Sequence, residues 1–271
     1  MVSYERGLIE VDSIFGRIEA FENDLVTDQV VAFGAHTRPE LAFLLTVVDA
    51  ADRVFDLGAH IGSFAIPLAQ KIGPAGRILI VEGLPETFGV LERNVRRLVL
   101  PGAATLVNVL IASAGQRYAA QTPQGNTGAN FFAPTAGDEG VAVPATTLDA
   151  LCQAHFFPRV VKIDLEGFEL FALEGGRELL ARRPIIYAEV ADQLLRRCGA
   201  SVAQLDALLR GHGYRYFRNV GDRNAAHDNY LVAELPTLAA GGDFFDLLGI
   251  HRDDERLARV LVASTAKVDA G

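Results

Sequence analysis

The segment Asp56-Leu57-Gly58-Ala59-His60-Ile61-Gly62 has the residue types of a ligand-binding turn. Gly58 permits a tight turn, and its missing side chain would let a ligand approach the backbone. Gly62 would allow close packing where the next helix starts. Asp56, at the end of the preceding apolar run, could orient an ammonium group of a ligand, directly or through water. We therefore predict a cofactor-binding loop at Asp56, Gly58, Ala59, His60 and Gly62.

Glu82 ends the next apolar run of the chain and is the expected partner of this loop. An acid at such a strand end can accept hydrogen bonds from both ribose hydroxyls of an adenosine. NAD and S-adenosylmethionine both contain an adenosine, so the acid alone leaves both open. The loop lacks a third glycine, and Ala59 hinders the close backbone approach that a pyrophosphate needs. These departures from the dinucleotide fingerprint favour S-adenosylmethionine.

A dense cluster of charge follows at Lys162-Ile163-Asp164-Leu165-Glu166-Gly167-Phe168-Glu169. Strand alternation places Lys162 and Asp164 on the same side. Asp164 could orient the hydroxyl of a methyl acceptor or take its proton, so it is a predicted catalytic residue. Asp164 and Glu166 are also expected to face the cofactor. Lys162 could pair with a carboxylate and lower its pKa, whereas Glu169 is interpreted as a helix-start acid.

Further candidates for the acceptor site are more scattered. His60 and His227 are alternative catalytic bases, because an unperturbed histidine has a pKa of about 6.5. The glycine-rich segment 114–145 is interpreted as a substrate loop or hairpin, although a solvated loop fits nearly as well. The predicted acceptor-binding residues are Asn126, Asn130, Lys162 and Glu189. Oxygen ligands for a metal are also present (Asp164, Glu166, Glu189, Asp192), but no motif demands one, and none is predicted.

The elements that must position these residues alternate between strands and helices, which is typical of a parallel sheet with right-handed crossovers. Seven strands are predicted, at 53–57, 77–81, 104–109, 159–163, 184–190, 214–218 and 229–234. The last two have no helical pattern between them, which favours an antiparallel pair. We predict an α/β fold with a Rossmann-like, seven-stranded, mostly parallel sheet. Residues 1–50 are expected to form an N-terminal unit, with a β-ribbon over 7–34 and a helix from Thr37. Residues 51–235 are expected to form the core, and residues 236–271 a C-terminal tail.

The motifs DLGAHIG, VEGLPETFGVLERNV, TTLDAL, VKIDLEGFELFALEGG and PIIYAEV together resemble the FkbM family of methyltransferases, from about Asp52 to Leu235. The resemblance implies a class I methyltransferase fold and O-methylation of sugars, glycans or polyketide natural products. It places the cofactor loop and the ribose-binding Glu82 as argued above. Two positions depart from the family pattern: His60 often corresponds to Asn, and Gly83 often corresponds to Pro.

The predicted function is S-adenosylmethionine-dependent O-methylation of a hydroxyl on a sugar, glycan or polyketide-type natural product. One alternative is an N-methyltransferase of a peptide or amino sugar, which has less need of a base. An alternative of another class is an NAD-binding oxidoreductase, since the turn and Glu82 also fit NAD. For an O-methyltransferase, the expected partner is a small-molecule or glycan acceptor.

The composition disfavours nucleic-acid-binding, membrane-spanning and secreted proteins. The 271 residues are 50% hydrophobic and carry a formal net charge of −9, which disfavours a duplex nucleic-acid partner. The apolar stretches are too short to span a bilayer. Two cysteines without a CxxC pair fit a reducing compartment. The start lacks an apolar signal core, so we expect a cytoplasmic protein. The N-terminal ribbon could serve as a contact surface in a homo-oligomer.

Overall fold

The computed structural model describes residues 7–112, 118–121, 131–134 and 142–265. The N-terminal unit begins with an antiparallel ribbon of β1 (Leu8–Ser13) and β2 (Gly16–Phe21). Two helices follow, α1 (Leu25–Phe33) and α2 (Arg38–Leu45). The ribbon was expected to extend to residue 34. It ends earlier because the Asp24 side chain accepts a hydrogen bond from the backbone N–H of Val26 and caps α1.

Among the remaining elements, strands and helices alternate over residues 53–107 and 160–219, as the sequence predicts. In chain order they are β3 (Arg53–Leu57), α3 (Ala65–Ile72), β4 (Arg77–Val81), α4 (Pro85–Leu98), β5 (Ala104–Val107), β6 (Leu110–Ile111), β7 (Tyr118–Gln121), β8 (Phe131–Pro134), β9 (Ala142–Val143), β10 (Ala145–Thr146), α5 (Leu148–Ala154), β11 (Val160–Ile163), α6 (Glu169–Glu174), α7 (Arg177–Ala181), β12 (Ile185–Ala191), α8 (Asp192–Arg197), α9 (Val202–Gly211), β13 (Tyr214–Asn219), β14 (Val232–Leu235), a short 3₁₀ helix (Leu238–Gly241), β15 (Phe244–His251) and α10 (Leu257–Thr265).

The central sheet has eight strands in the order β14-β13-β15-β12-β11-β3-β4-β5. The five strands from β12 to β5 are parallel, and β13 and β14 form the predicted antiparallel pair. The prediction of seven strands is wrong. Strand β15, in the segment expected to be a tail, inserts between β12 and β13 and is antiparallel to both. Its pairing partners are distant in sequence, so no local pattern indicates where it belongs.

Both faces of the sheet are covered, as a Rossmann-like fold requires. The face that carries Val54, Val160 and Tyr187 packs against the N-terminal unit, α3, α4 and α10. The opposite face packs against α5, α6, α7 and α9. Among the described residues, no helix has the length and apolar character needed to cross a membrane.

The segment 114–145, interpreted above as a substrate loop or hairpin, includes three short strands among its described residues. Strands β7, β8 and β9 form a small antiparallel sheet, in which β7 pairs with β8 and with β9. Strand β10 pairs in parallel with β6, which ties the end of this segment to the core. The predicted acceptor contacts Asn126 and Asn130 lie outside the described residues.

Candidate functional site

A cavity of about 700 Å³ opens at the carboxyl ends of β3, β4, β11 and β12. The cofactor loop and Glu82 line one part of it. The N-terminal unit contributes Gln29 and His36, and the chain beyond β13 contributes Arg223 and Asn224. The cavity thus has the size of a ligand pocket and lies where open α/β sheets bind ligands.

The cofactor loop is shaped by close backbone contacts. Gly58 has a φ of 76°, and a Cβ on it would lie 1.8 Å from the carbonyl oxygen of Asp164. The glycine was expected to give a ligand access to the backbone. In the structure, the missing side chain lets the backbone at the end of β11 approach the loop. The N–H groups of Gly58 and Ala59 both donate to the carbonyl of Val81, at 2.9 and 3.0 Å, which fixes the loop on β4.

Gly62 packs as predicted. A Cβ there would meet the side chains of Ile66 and Leu91 at 3.1 Å, so its absence lets the chain entering α3 lie close to α4. Gly62 is not among the residues that line the cavity, whereas Gly58, Ala59 and His60 line it.

The Glu82 carboxylate is held by the loop that it faces. Its two oxygens accept hydrogen bonds from the backbone N–H groups of His60, at 2.9 Å, and Leu84, at 2.8 Å. Burial raises the pKa of Glu82, and these two amide donors oppose the rise. A carboxylate oxygen can accept more than one hydrogen bond. Glu82 lines the cavity with acceptor capacity to spare, so it fits a pair of ribose hydroxyls.

Lys162 joins the two acidic strand ends beneath the cavity. Its Nζ lies 3.4 Å from Asp56 Oδ1 and 3.3 Å from Asp164 Oδ2, and it donates to the carbonyl of Gly58 at 2.9 Å. Burial alone would lower the pKa of Lys162, but Asp164 and Asp56 outweigh it and raise that pKa. These contacts occupy the ammonium group, which makes Lys162 a positioning residue for Asp164 more than an acceptor contact.

Asp56 does not reach the cavity, although direct or water-mediated contact with the cofactor was expected. It pairs in register with Lys162 on the neighbouring strand and is fully buried. Burial raises the pKa of Asp56, and the charge of Lys162 only partly offsets this. Lys162 does lower the pKa of Asp56, as expected, but burial raises that pKa by more. Its effect on the cofactor site is exerted through Lys162 and the loop.

Three further carboxylates converge on one wall of the cavity. Oxygen atoms of Asp164, Glu166 and Glu189 all lie within 4.8 Å of one another. Burial and then the charges of Asp164 and Glu169 raise the pKa of Glu166 to about 9. Burial and neighbouring acids also raise the pKa of Glu189 well above its usual range. Within the part of the chain that the structure describes, these three carboxylates could together hold a cation.

Several acids near this wall have structural roles. Asp192, considered above as an oxygen ligand, instead accepts a hydrogen bond from Arg196 at 2.6 Å. Glu169 accepts from the backbone N–H groups of Leu165 and Gly167, which agrees with its interpretation as a helix-start acid. In the TTLDAL motif, the Asp149 carboxylate accepts hydrogen bonds from the backbone N–H groups of Glu178 and Leu179 and anchors α7.

Of the histidines His36, His60 and His227, two line the cavity and one does not. His60 lines the cavity beside the cofactor loop. His227 is exposed and does not line the cavity, and its Nδ1 accepts a hydrogen bond from the N–H of Asn229 at 3.3 Å. The structure therefore does not bring His227 to the other predicted catalytic residues. His36 does line the cavity. Sequence reasoning missed it because it stands in no recognisable motif and lies far from the acidic strand ends in sequence.

A model of the methyltransferase FkbM domain matches residues 56–216, more than half of the sequence. The chain belongs to the FkbM methyltransferase family. This membership decides between the two adenosine cofactors considered above: S-adenosylmethionine is the cofactor, and the oxidoreductase alternative is wrong. The methyltransferase's Glu82 and Gly58 lie within the matched region, whereas His36 and Arg223 lie outside it.

Solved structures similar to this methyltransferase include a precorrin-6y C5,15-methyltransferase from Geobacter metallireducens, with 13% identity, a TM-score of 0.41 and coverage of 78% of this chain and 86% of that one. An S-adenosylmethionine-dependent methyltransferase from Aquifex aeolicus has 11% identity, a TM-score of 0.43 and coverage of 78% and 89%. An O-methyltransferase from Bacillus cereus has 14% identity, a TM-score of 0.46 and coverage of 80% and 84%. No curated protein matches the sequence.

Proposed function

We propose that this methyltransferase transfers the methyl group of S-adenosylmethionine to a hydroxyl of a sugar, glycan or polyketide-type natural product. The observation that supports it is the position of Asp164. Its carboxylate lies on the cavity wall, and Lys162 fixes it from below at 3.3 Å. A carboxylate held in this way accepts a hydrogen bond from a hydroxyl and orients the oxygen for attack.

The cofactor supplies a methyl group bound to a sulfonium, which is already strongly electrophilic. The protein's part is to hold the ribose at Glu82, shape the loop at Gly58 and bring the acceptor oxygen into line. Such proximity and orientation contribute up to about 7–11 kcal/mol in well-aligned model reactions. Because Lys162 already neutralises Asp164, we expect turnover to be unchanged by a chelator of divalent cations.

The second candidate is N-methylation of an amine, and one observation favours it. Glu166 and Glu189 line the same cavity, and their carboxyl oxygens lie within 4.8 Å of each other. Two enclosed carboxylates of this kind would also suit an ammonium group. An amine must lose its proton before it can attack, so N-methylation would slow steeply as the pH falls below the pKa of that amine.

The deciding experiment uses S-adenosylmethionine with a deuterated methyl group and a panel of methyl glycosides, polyketide-type alcohols and amino sugars. Fragmentation by mass spectrometry then locates the label on oxygen or nitrogen. We expect label on oxygen, and a loss of turnover of about 10²-fold or more in Asp164→Asn, with affinity for S-adenosylhomocysteine nearly unchanged. Label found solely on nitrogen, or full turnover in Asp164→Asn, would refute the proposal.

A further inference from the structure

His36 occupies the wall of the cavity that the N-terminal unit provides. It lies in the short connection between α1 and α2, outside the region matched by the family model. The same connection places Thr37 in the cavity lining, and α1 adds Gln29. The acceptor side of the cavity is therefore built in part by residues that the family motifs do not include.

The connection has a costly backbone geometry at the residue that follows His36. Gly34 has a φ of 80° and closes α1, and its carbonyl accepts a hydrogen bond from the N–H of Ile14. Thr37 has a φ of 40°, which is a rare conformation for a β-branched residue. The side chain of Gln29 stabilises it by accepting from the Thr37 N–H at 3.1 Å. Strain retained by such bonds is typical of functional sites.

The imidazole ring of His36 is held in place by packing, but its Nδ1 lacks a hydrogen-bond partner among the described residues. It packs edge-on against Phe64, with ring centroids 6.4 Å apart at 75°. Its Nδ1 is shielded from solvent and has no hydrogen-bond partner among the described residues. A buried polar atom without a partner costs about 1–3 kcal/mol of folding free energy. The position of this ring therefore destabilises the fold.

Burial is the main reason that His36 stays in the neutral form. Burial lowers its pKa to about 3, Asp164 opposes this, and His60, Arg223 and Lys162 add to the lowering. A neutral imidazole has one nitrogen lone pair that can accept a proton. The negative charge of Asp164 would stabilise the imidazolium that results.

We propose that His36 contacts the methyl acceptor and takes up the proton of the reacting hydroxyl. The hydroxyl oxygen forms a bond to the methyl carbon, the carbon–sulfur bond breaks with its electron pair moving to sulfur, and the O–H proton passes to the lone pair of the neutral imidazole. The imidazolium then returns its proton to solvent. This inference rests on the proposed O-methylation, in which Asp164 orients the same hydroxyl.

The test compares His36→Phe, which keeps the ring and its contact with Phe64, with His155→Phe, an exposed histidine outside the cavity. Each variant is measured for thermal unfolding, for affinity towards S-adenosylhomocysteine by calorimetry, and for kcat and KM with the best acceptor of the labelling screen. We expect His36→Phe to lose about 10²–10⁴-fold in kcat, with cofactor affinity within about threefold of wild type and His155→Phe unaffected.

A second readout does not depend on turnover. In protein with ¹³C-labelled histidine, bound to S-adenosylhomocysteine, the His36 ring resonance should shift when the acceptor or its methylated product is added. Unchanged kcat/KM in His36→Phe, or loss explained by weaker cofactor binding, would overturn the assignment. If the wild-type enzyme labels nitrogen alone, O-methylation fails, and full activity of His36→Phe on that amine would remove His36 from the acceptor site as well.

Discussion

The carboxylate of Glu82 accepts a hydrogen bond from the backbone N–H of His60, at 2.9 Å. This bond links the end of β4 to the loop after β3, so the acid and the glycine turn act as one unit. The His60 backbone lies in the left-handed region, with a φ of 51°, and the hydrogen bond helps to hold it there.

The first prediction concerns Glu82. Glu82→Gln keeps the shape but turns one acceptor oxygen into a donor, which opposes an N–H of the loop or a ribose hydroxyl. We expect about 10–100-fold weaker binding of S-adenosylhomocysteine, corresponding to about 1–3 kcal/mol. Calorimetry measures this directly. Glu86→Gln, an exposed position in the first turn of α4, is the matched control and should bind normally. Equal affinity in both variants would separate Glu82 from the cofactor.

The second prediction compares two glycines that both have a positive φ. Gly58 and Gly73 have φ values of 76° and 67°, but a Cβ on Gly73 meets nothing within 4 Å. Gly73→Ala should therefore cost only the backbone penalty of a sparsely populated conformation, about 1–3 kcal/mol. Gly58→Ala adds a collision with the Asp164 carbonyl and should cost more than about 4 kcal/mol. Urea denaturation tests this, and similar losses would show that β11 does not press on the loop.

Lys162 carries the third prediction. Lys162→Met leaves Asp56 buried without a counter-ion, which should cost about 3–5 kcal/mol of stability. The loss should be larger at pH 8 than at pH 5, because at low pH Asp56, whose pKa burial already raises, can take up a proton instead. The double variant Asp56→Asn with Lys162→Met should regain much of the loss in urea denaturation. A pH-independent loss would contradict this account of the pair.

The fourth prediction is a dependence of stability on pH. The pKa of Glu166 rises from 4.5 to about 9 on folding. Its contribution to stability is thus fully present below pH 4.5 and is lost as the pH rises towards 9. Glu166→Gln should flatten the curve of melting temperature against pH and gain about 2–4 °C over wild type at pH 8.5. The exposed Glu174→Gln serves as control, and parallel curves for all three proteins would disprove the prediction.

Much of the fold follows from local sequence pattern. Strands β3, β4 and β11 are each a short apolar run followed by a helix, so they could be predicted along with the turn at Gly58. Strand β15 could not, because its place between β12 and β13 is set by pairing with residues far away in sequence. Its position explains why the chain after residue 236 is part of the sheet and not a tail.

The site divides in the same way. Glu82 and Asp164 could be predicted because strand ends of a parallel sheet meet at one edge. The burial of Asp56 could not, since it depends on Lys162 standing beside it in the register of the next strand. His36 reaches the cavity through the left-handed turn at Gly34 and Thr37 and through packing on Phe64, which are tertiary features that residue types alone do not show.

We propose that the cavity holds S-adenosylmethionine with its ribose on Glu82 and its sulfur facing the wall of Asp164 and His36. The test is a crystal structure of the protein with S-adenosylhomocysteine. We predict both ribose hydroxyls within hydrogen-bond distance of Glu82, and the sulfur turned towards Asp164. A ribose bound elsewhere, or a sulfur turned away from both residues, would refute this binding mode.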